Sequence, residues 1–308
     1  MRQDTNDSST WLSAGKGFLS WLIRGETLFF GLIVATIMLS GCTTVGEMSE
    51  AEQREFEAQI IKEQEVGEAA FAKLVGQFGL VRNEEATEYL NKYLQSLAFY
   101  VERQELTYYA AILDTSQVNA FALPGGYILV TLGTLQHIEE PGELAGVLAH
   151  ELGHVQKRHI LENVSIEVEY SPAETLARLL AGGRQIVNTA VSQINDAIEE
   201  RLFLEGYQAD DEYEADAYAI SLLQTLGISG EPYRDFLSRL AGESHGEEGN
   251  LANLDKTHPP LDERLRRIDE QLEPGLPRLS PTADFEAFIE SVNALEATTA
   301  TLTTEEAI

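Results

Sequence analysis

The residues with the clearest chemical potential are His150-Glu151-Leu152-Gly153-His154. On a helix, positions i and i+4 share a face, so both imidazoles can reach one ion. Glu151 points in a neighbouring direction, where a carboxylate takes a proton from a water that the ion activates. The competing reading is a helix carrying two hydrogen-bonded core histidines. Burial weighs against it: Glu143–Val155 (ELAGVLAHELGHV) is small and apolar on more than one face, and burying two His and a Glu without partners is unfavourable. Catalytic zinc usually takes three protein ligands plus a water. An extended motif would put Gly at 157 and His at 160, but Lys157 and Ile160 stand there and His159 falls at neither place. A carboxylate from a later helix is the remaining source. Glu212, in Asp211-Glu212-Tyr213-Glu214-Ala215-Asp216, lies 58 residues after His154. Glu212 and Asp216 share a face at i, i+4, whereas Glu214 sits about 200° away. If Glu212 binds the ion, Asp216 orients a ligating imidazole through its other N–H. Alone, such a run is also what the solvated face of a very acidic protein looks like.

The elements around these residues are legible from periodicity. Residues 51–75 have a helical pattern, with Phe56, Ile60, Val66, Ala70, Phe71 and Leu74 recurring on one face. Asn83 is placed to cap a second helix that buries Ala86, Tyr89, Leu90, Tyr93, Leu94 and Leu97. The period then changes. Leu106–Asp114 and Val118–Thr131 are rich in β-branched and aromatic residues, and Pro124-Gly125-Gly126 marks a turn. Further helices are expected within 172–205, over Asp210–Leu226 with Gly227 as its stop, within 229–256 and after His258-Pro259-Pro260. Phe285, Phe288, Ile289 and Val292 form one amphipathic set in the acidic tail. No internal repeat is present. Helices around a few strands read as α+β, mostly helical, with a small β-sheet beside the HExxH helix.

Composition narrows the partners. The 308 residues carry 21 Lys and Arg against 51 Asp and Glu, a formal net charge of −30, and such a chain repels nucleic-acid phosphates. The single cysteine, Cys42, permits no intrachain disulfide. It ends Leu39-Ser40-Gly41-Cys42 after the 12-residue apolar run Leu28–Leu39, which is too short to span a bilayer comfortably and suits a signal peptide. This sequence resembles the bacterial lipobox, which implies lipidation at Cys42. Thr43, not Asp, follows, which implies an outer-membrane lipoprotein facing the periplasm in a Gram-negative cell. The expected division is a lipoprotein signal peptide at 1–41, a tether and N-terminal helix at 42–82, a catalytic domain at 83–272 and an acidic tail at 273–308.

Four motifs in order resemble the M48 family of zinc metallopeptidases, over roughly residues 85–272. They are Asn119–Ile128 (NAFALPGGYI), His150–His154, Glu212–Asp216 (EYEAD) and Thr257-His258-Pro259-Pro260 with Arg264. The resemblance implies a zincin-type peptidase domain with one Zn2+ per chain. His150, His154 and Glu212 are the implied ligands, with Asp216 behind them and Glu151 as the base. One departure is Gln208-Ala209, where the family often has Ser-Arg. The resemblance points away from the membrane-embedded branch, since no second apolar run approaches 18 residues, and from the relatives with a helical-repeat extension.

The expected reaction is hydrolysis of peptide bonds in unfolded or misassembled cell-envelope proteins. His258 and Arg264 are candidate donors to the developing oxyanion, and His258 is alternatively a fourth ligand that latches a resting form. The substrate is expected to add as a strand along Gly126, Tyr127 and Ile128, within an edge running to Thr131. Phe121 and Tyr127 are more readily core than cleft. The other reading is a lipoprotein chaperone or assembly factor whose peptidase activity is latent or lost. An intact Glu151 favours the enzyme.

Overall fold

The computed structural model describes residues 48–163, 197–198, 206–244 and 260–296. Cys42, His258 and the segments expected within 172–196 and 245–256 lie outside them. The chain divides after Phe56 into two units. In the first, Ser49 and Glu52 exchange hydrogen bonds at the start of α1 (Glu50–Phe78). The second unit begins at Glu57.

Within it, α1 buries Ile60, Val66, Ala70, Leu74 and Phe78 at helical spacing. Asn83 caps α2 (Glu84–Ala98) as its sequence position suggests, its Oδ1 accepting from Ala86 N–H at 3.0 Å. Leu90 and Leu94 of α2 are fully buried. Three strands follow: β1 (Tyr109–Leu113), β2 (Ala120–Leu123) and β3 (Tyr127–Thr131). Pro124–Gly126 forms a 3-10 turn between β2 and β3, and Gly125 there has φ 79°, a conformation that disfavours a side chain.

The sheet order is β1-β3-β2, with β3 parallel to β1 and antiparallel to β2. This corrects the expected substrate strand. Gly126 lies in the turn, and Tyr127 and Ile128 begin the central strand, paired with Tyr109 and Ala110 on one side and Leu123 and Ala122 on the other. Their backbone groups are used within the sheet. Tyr127 packs its ring against Phe71 and Tyr109, and Phe121 is buried in the same cluster, so both aromatics are core.

Past β3, the short α3 (Leu132–Gln136) leads into α4 (Pro141–Lys157), which carries the HExxH sequence. Every residue of α4 from Pro141 to Val155 is buried. α4 packs against β2, α6 (Ala209–Thr225) and α7 (Glu231–Ser244). Its small residues allow this: a Cβ on Gly146 would stand 2.2 Å from Tyr233 Cβ of α7. α5 (His159–Asn163) follows α4, and α8 (Leu261–Asp269) packs on α6 and α7. The acidic segment beyond residue 272 is not a loose tail over its described part. α9 (Ala283–Asn293) buries Phe285, Phe288 and Val292, and Phe288 stacks on Tyr89 of α2 at 4.5 Å. The expected α+β, mostly helical fold is what the chain adopts. None of the described helices is long and apolar enough to cross a membrane.

Candidate metal centre

α4 sets His150 and His154 one turn apart, and the first turn of α6 brings Glu212 against them. All three are buried, Glu212 completely. His150 Nε2 and His154 Nε2 are 3.1 Å apart, His154 Nε2 lies 3.4 Å from Glu212 Oε1, and His150 Nε2 lies 3.6 Å from Glu212 Oε2. Ligands at ~2.0–2.1 Å from a tetrahedral ion are ~3.3 Å from one another. The three donors therefore already stand at the spacing that a small tetrahedral ion imposes. The donor set is also right, two imidazoles and one carboxylate. It is the one such cluster among the described residues. Glu212 is favoured as an anion at the positive end of α6.

The ligands are held from behind. His150 Nδ1 is 3.0 Å from Asp216 Oδ1, so the i, i+4 pair on α6 does what its spacing suggests, with Glu212 beside the nitrogens that face the ion and Asp216 behind one of them. Asp216 in turn accepts from the Tyr233 hydroxyl at 2.7 Å and from Arg264 Nε and Nη2 at 2.8 and 2.7 Å. Arg264 also reaches Glu212 Oε2 through Nη1 at 3.0 Å. All three guanidinium nitrogens are engaged with these carboxylates. Arg264 was expected to donate to an oxyanion, but its geometry is that of a residue bracing the ligand carboxylate and its neighbour, and it lies only 2% exposed. Burial works against ionised Asp216, yet Arg264 and His150 outweigh it and hold its carboxyl well below the usual range.

Glu151 is different. Its Oε2 is buried with no hydrogen-bond partner among the described residues, and burial, then Glu212, push its pKa up to about 8 against the opposing pull of Arg264. It borders a cavity of about 50 Å³ shared with His150, Asn119, Ala120 and Phe236. Burial likewise drives the His154 pKa down to about 3, keeping that ring neutral and able to offer a lone pair.

The family model for Peptidase family M48 matches residues 83–272. The chain belongs to this family. Relatives include the beta-barrel assembly-enhancing protease of Yersinia pestis, 27% identical over 216 residues, which are 66% of this chain and 42% of that protein. Two Escherichia coli K12 proteins also match. Metalloprotease YcaL is 30% identical over 52% of this chain and 61% of its own length, and metalloprotease LoiP is 27% identical over 62% and 72%. The chain thus spans less than half of the beta-barrel assembly-enhancing relative.

Four neighbours of the site were not singled out from sequence. Tyr233 reaches Asp216 from α7. Tyr207 stacks on the His154 ring, centroids 3.9 Å apart. His159 lies with Nδ1 2.8 Å from His154 Nδ1. Glu63 ties α1 to the far end of α4, accepting from Arg103 at 2.8 Å through both oxygens and from Arg158 at 3.3 Å. Tyr233, Tyr207 and Glu63 arrive by tertiary packing, which no local spacing records, whereas His159 is returned to His154 by the left-handed turn at Arg158. Glu214 points away as its angle requires, pairing with Lys157 at 2.6 Å.

Proposed function

We propose that the protein is a zinc-dependent endopeptidase. The observation that carries this is the tetrahedral spacing of the His150, His154 and Glu212 donors together with a buried Glu151 carboxylate oxygen, on the helix of the two histidines, that has no hydrogen-bond partner among the described residues. These residues would hold one Zn2+, which when bound acidifies a water and polarises the scissile carbonyl. Glu151 takes a proton from the attacking water at a carboxylate oxygen and delivers it to the leaving amine. In the metal-free protein burial favours protonated Glu151, and a bound Zn2+ would favour the carboxylate form that takes the proton. Asp216, Arg264 and Tyr233 hold His150 and Glu212 in place.

The substrate backbone is assigned to β2 instead of β3. Asn119 C=O accepts from Thr131 N–H of β3 at 3.1 Å, so by the antiparallel alternation Ala120 and Ala122 turn their backbone groups away from β3, on the strand that packs against α4. There Ala120 N–H meets Asn119 Oδ1 at 2.9 Å and Ala122 C=O meets the Tyr207 hydroxyl at 3.3 Å, contacts that a substrate strand would replace. Backbone pairing reads little side-chain identity and suits unfolded chains. The names of the relatives favour cell-envelope proteins as clients. Lipidation at Cys42, with placement in the outer membrane facing the periplasm, fits the Leu39–Cys42 sequence. His258 is proposed as an oxyanion donor or, alternatively, as a latch of a resting form.

The test is zinc content and casein cleavage by residues 43–308, compared with Glu151→Gln. Stoichiometric zinc in both, with cleavage reduced by at least ~100-fold in the variant, is expected. A zinc-loaded wild type that cuts no unfolded protein would discard the enzyme in favour of the chaperone or assembly reading.

A further inference from the structure

We propose that His159 is the positioning residue of the ligand His154, fixing the ring's tautomer and orientation so that Nε2 faces the metal. This rests on the zinc site proposed above. A neutral imidazole that offers Nε2 to an ion carries its proton on Nδ1. His154 Nδ1 therefore donates, and the atom 2.8 Å away is His159 Nδ1, which must accept. A neutral His159 accepting at Nδ1 carries its own proton on Nε2. That nitrogen faces Glu214 Oε2 at 3.4 Å and Asp211 Oδ1 at 3.9 Å, acceptors that favour this tautomer. The chain of tautomers is consistent from the metal face outward.

The backbone is shaped to deliver this contact. α4 ends at Arg158 with φ 57° and ψ 29°, a left-handed conformation that non-glycine residues rarely adopt. The turn starts α5 at His159 and brings its ring back against His154, centroids 4.9 Å apart and planes at 75°. His159 is 2% exposed, too buried for an incidental surface contact. The two ligand histidines thus have unlike supports. His150 leans on an anion braced by Arg264, whereas His154 leans on a second imidazole. Spacing alone shows only that His159 cannot replace a ligand at position 160, not that it serves the ligand beside it.

The experiment measures zinc affinity by chelator competition, together with thermal melting of the metal-free proteins, for wild type, His159→Leu and His159→Asn. Leu fills space without accepting a hydrogen bond, while the Asn amide oxygen can sit near the position of Nδ1. His159→Leu should bind zinc roughly 10–100-fold more weakly, with His159→Asn within about threefold of wild type and all three metal-free proteins melting alike. Equal affinity in His159→Leu overturns the proposal, as does an Asn variant as weak as Leu, or a metal-free melting loss that tracks the affinity loss. Failure of the underlying site would look different: the wild type itself would then bind no stoichiometric zinc.

Discussion

Two carboxylates of the metal centre, Glu151 and Asp216, are pushed in opposite directions by their surroundings. In the metal-free protein Asp216 has Arg264 and is held ionised, while for Glu151 burial and the nearby Glu212 raise the pKa to about 8. Such divergence separates a supporting anion from a proton carrier. It also has a consequence for stability. The pKa of Glu151 rises from 4.5 to about 8 on folding, so the folded state favours the proton. Its contribution is fully present below pH 4.5 and is lost as pH climbs through 8. In chelator-treated protein, the stability of wild type relative to Glu151→Gln should fall by a few kcal/mol between about pH 5 and 8. Urea titrations across that range check it, and a difference that stays level would show that Glu151 ionises freely in the fold. At this scale the sequence was most informative where one helix carries the whole relation, as in His150 with His154 and Glu212 with Asp216. Arg264 was visible as a residue of interest, but its role depends on which side of the ligand α8 reaches, which no local pattern records.

Among the elements, strand content was legible and strand order was not. Leu106–Asp114 and Val118–Thr131 announce themselves by composition, yet β1 and β3 become neighbours only because β2 folds to the outside. The apolar run Ile128–Val130 suits a central strand, and that is where it sits. α1 shows a similar limit. Its apolar face predicts burial but not that Glu63, on that face, is an anchor. Outside the matched 83–272 region, this residue holds the partly buried Arg103, the more exposed Arg158 at the end of the metal helix, and Gly125 N–H at 3.2 Å. Removing Glu63 leaves Arg103 with Glu105, 2.9 Å away, as its remaining carboxylate, so the loss falls below the ~3–5 kcal/mol typical of an uncompensated buried charge. Glu63→Ala should destabilise by about 1.5–3 kcal/mol, the worth of hydrogen bonds to a charged group, most of it through Arg103 because Arg158 is partly solvated. Denaturation of the zinc-saturated variant measures this, and a loss under ~1 kcal/mol would show α1 to be dispensable to the catalytic unit.

Over the whole molecule, 21 cationic residues stand against 51 acids, and several of the cations among the described residues sit around the metal helix. Arg103 holds Glu63, Arg239 holds the buried Glu143 at 2.6 Å, Arg264 holds Asp216 and Glu212, and Arg278 joins Glu140 to Asp235. These pairs stand at both ends of α4 and behind its ligands, so these four cations brace the metal helix. The 51 acids outnumber the 21 cations, which leaves repulsion among acids that pairing cannot remove. Salt acts on the two populations in opposite senses. It weakens exposed pairs such as Arg266 with Glu263 at 2.7 Å, but each is worth under ~1 kcal/mol. It also screens the repulsion of a net −30, which accumulates over many pairs within a Debye length. The second term should win, since buried pairs such as Arg264 with Asp216 are screened least. The melting temperature of the metal-free protein should therefore rise by several degrees between about 0.02 and 1 M sodium chloride. A melting temperature that is flat or falls over this range would mean that the surface pairs, not the excess acids, set the electrostatic balance of the fold.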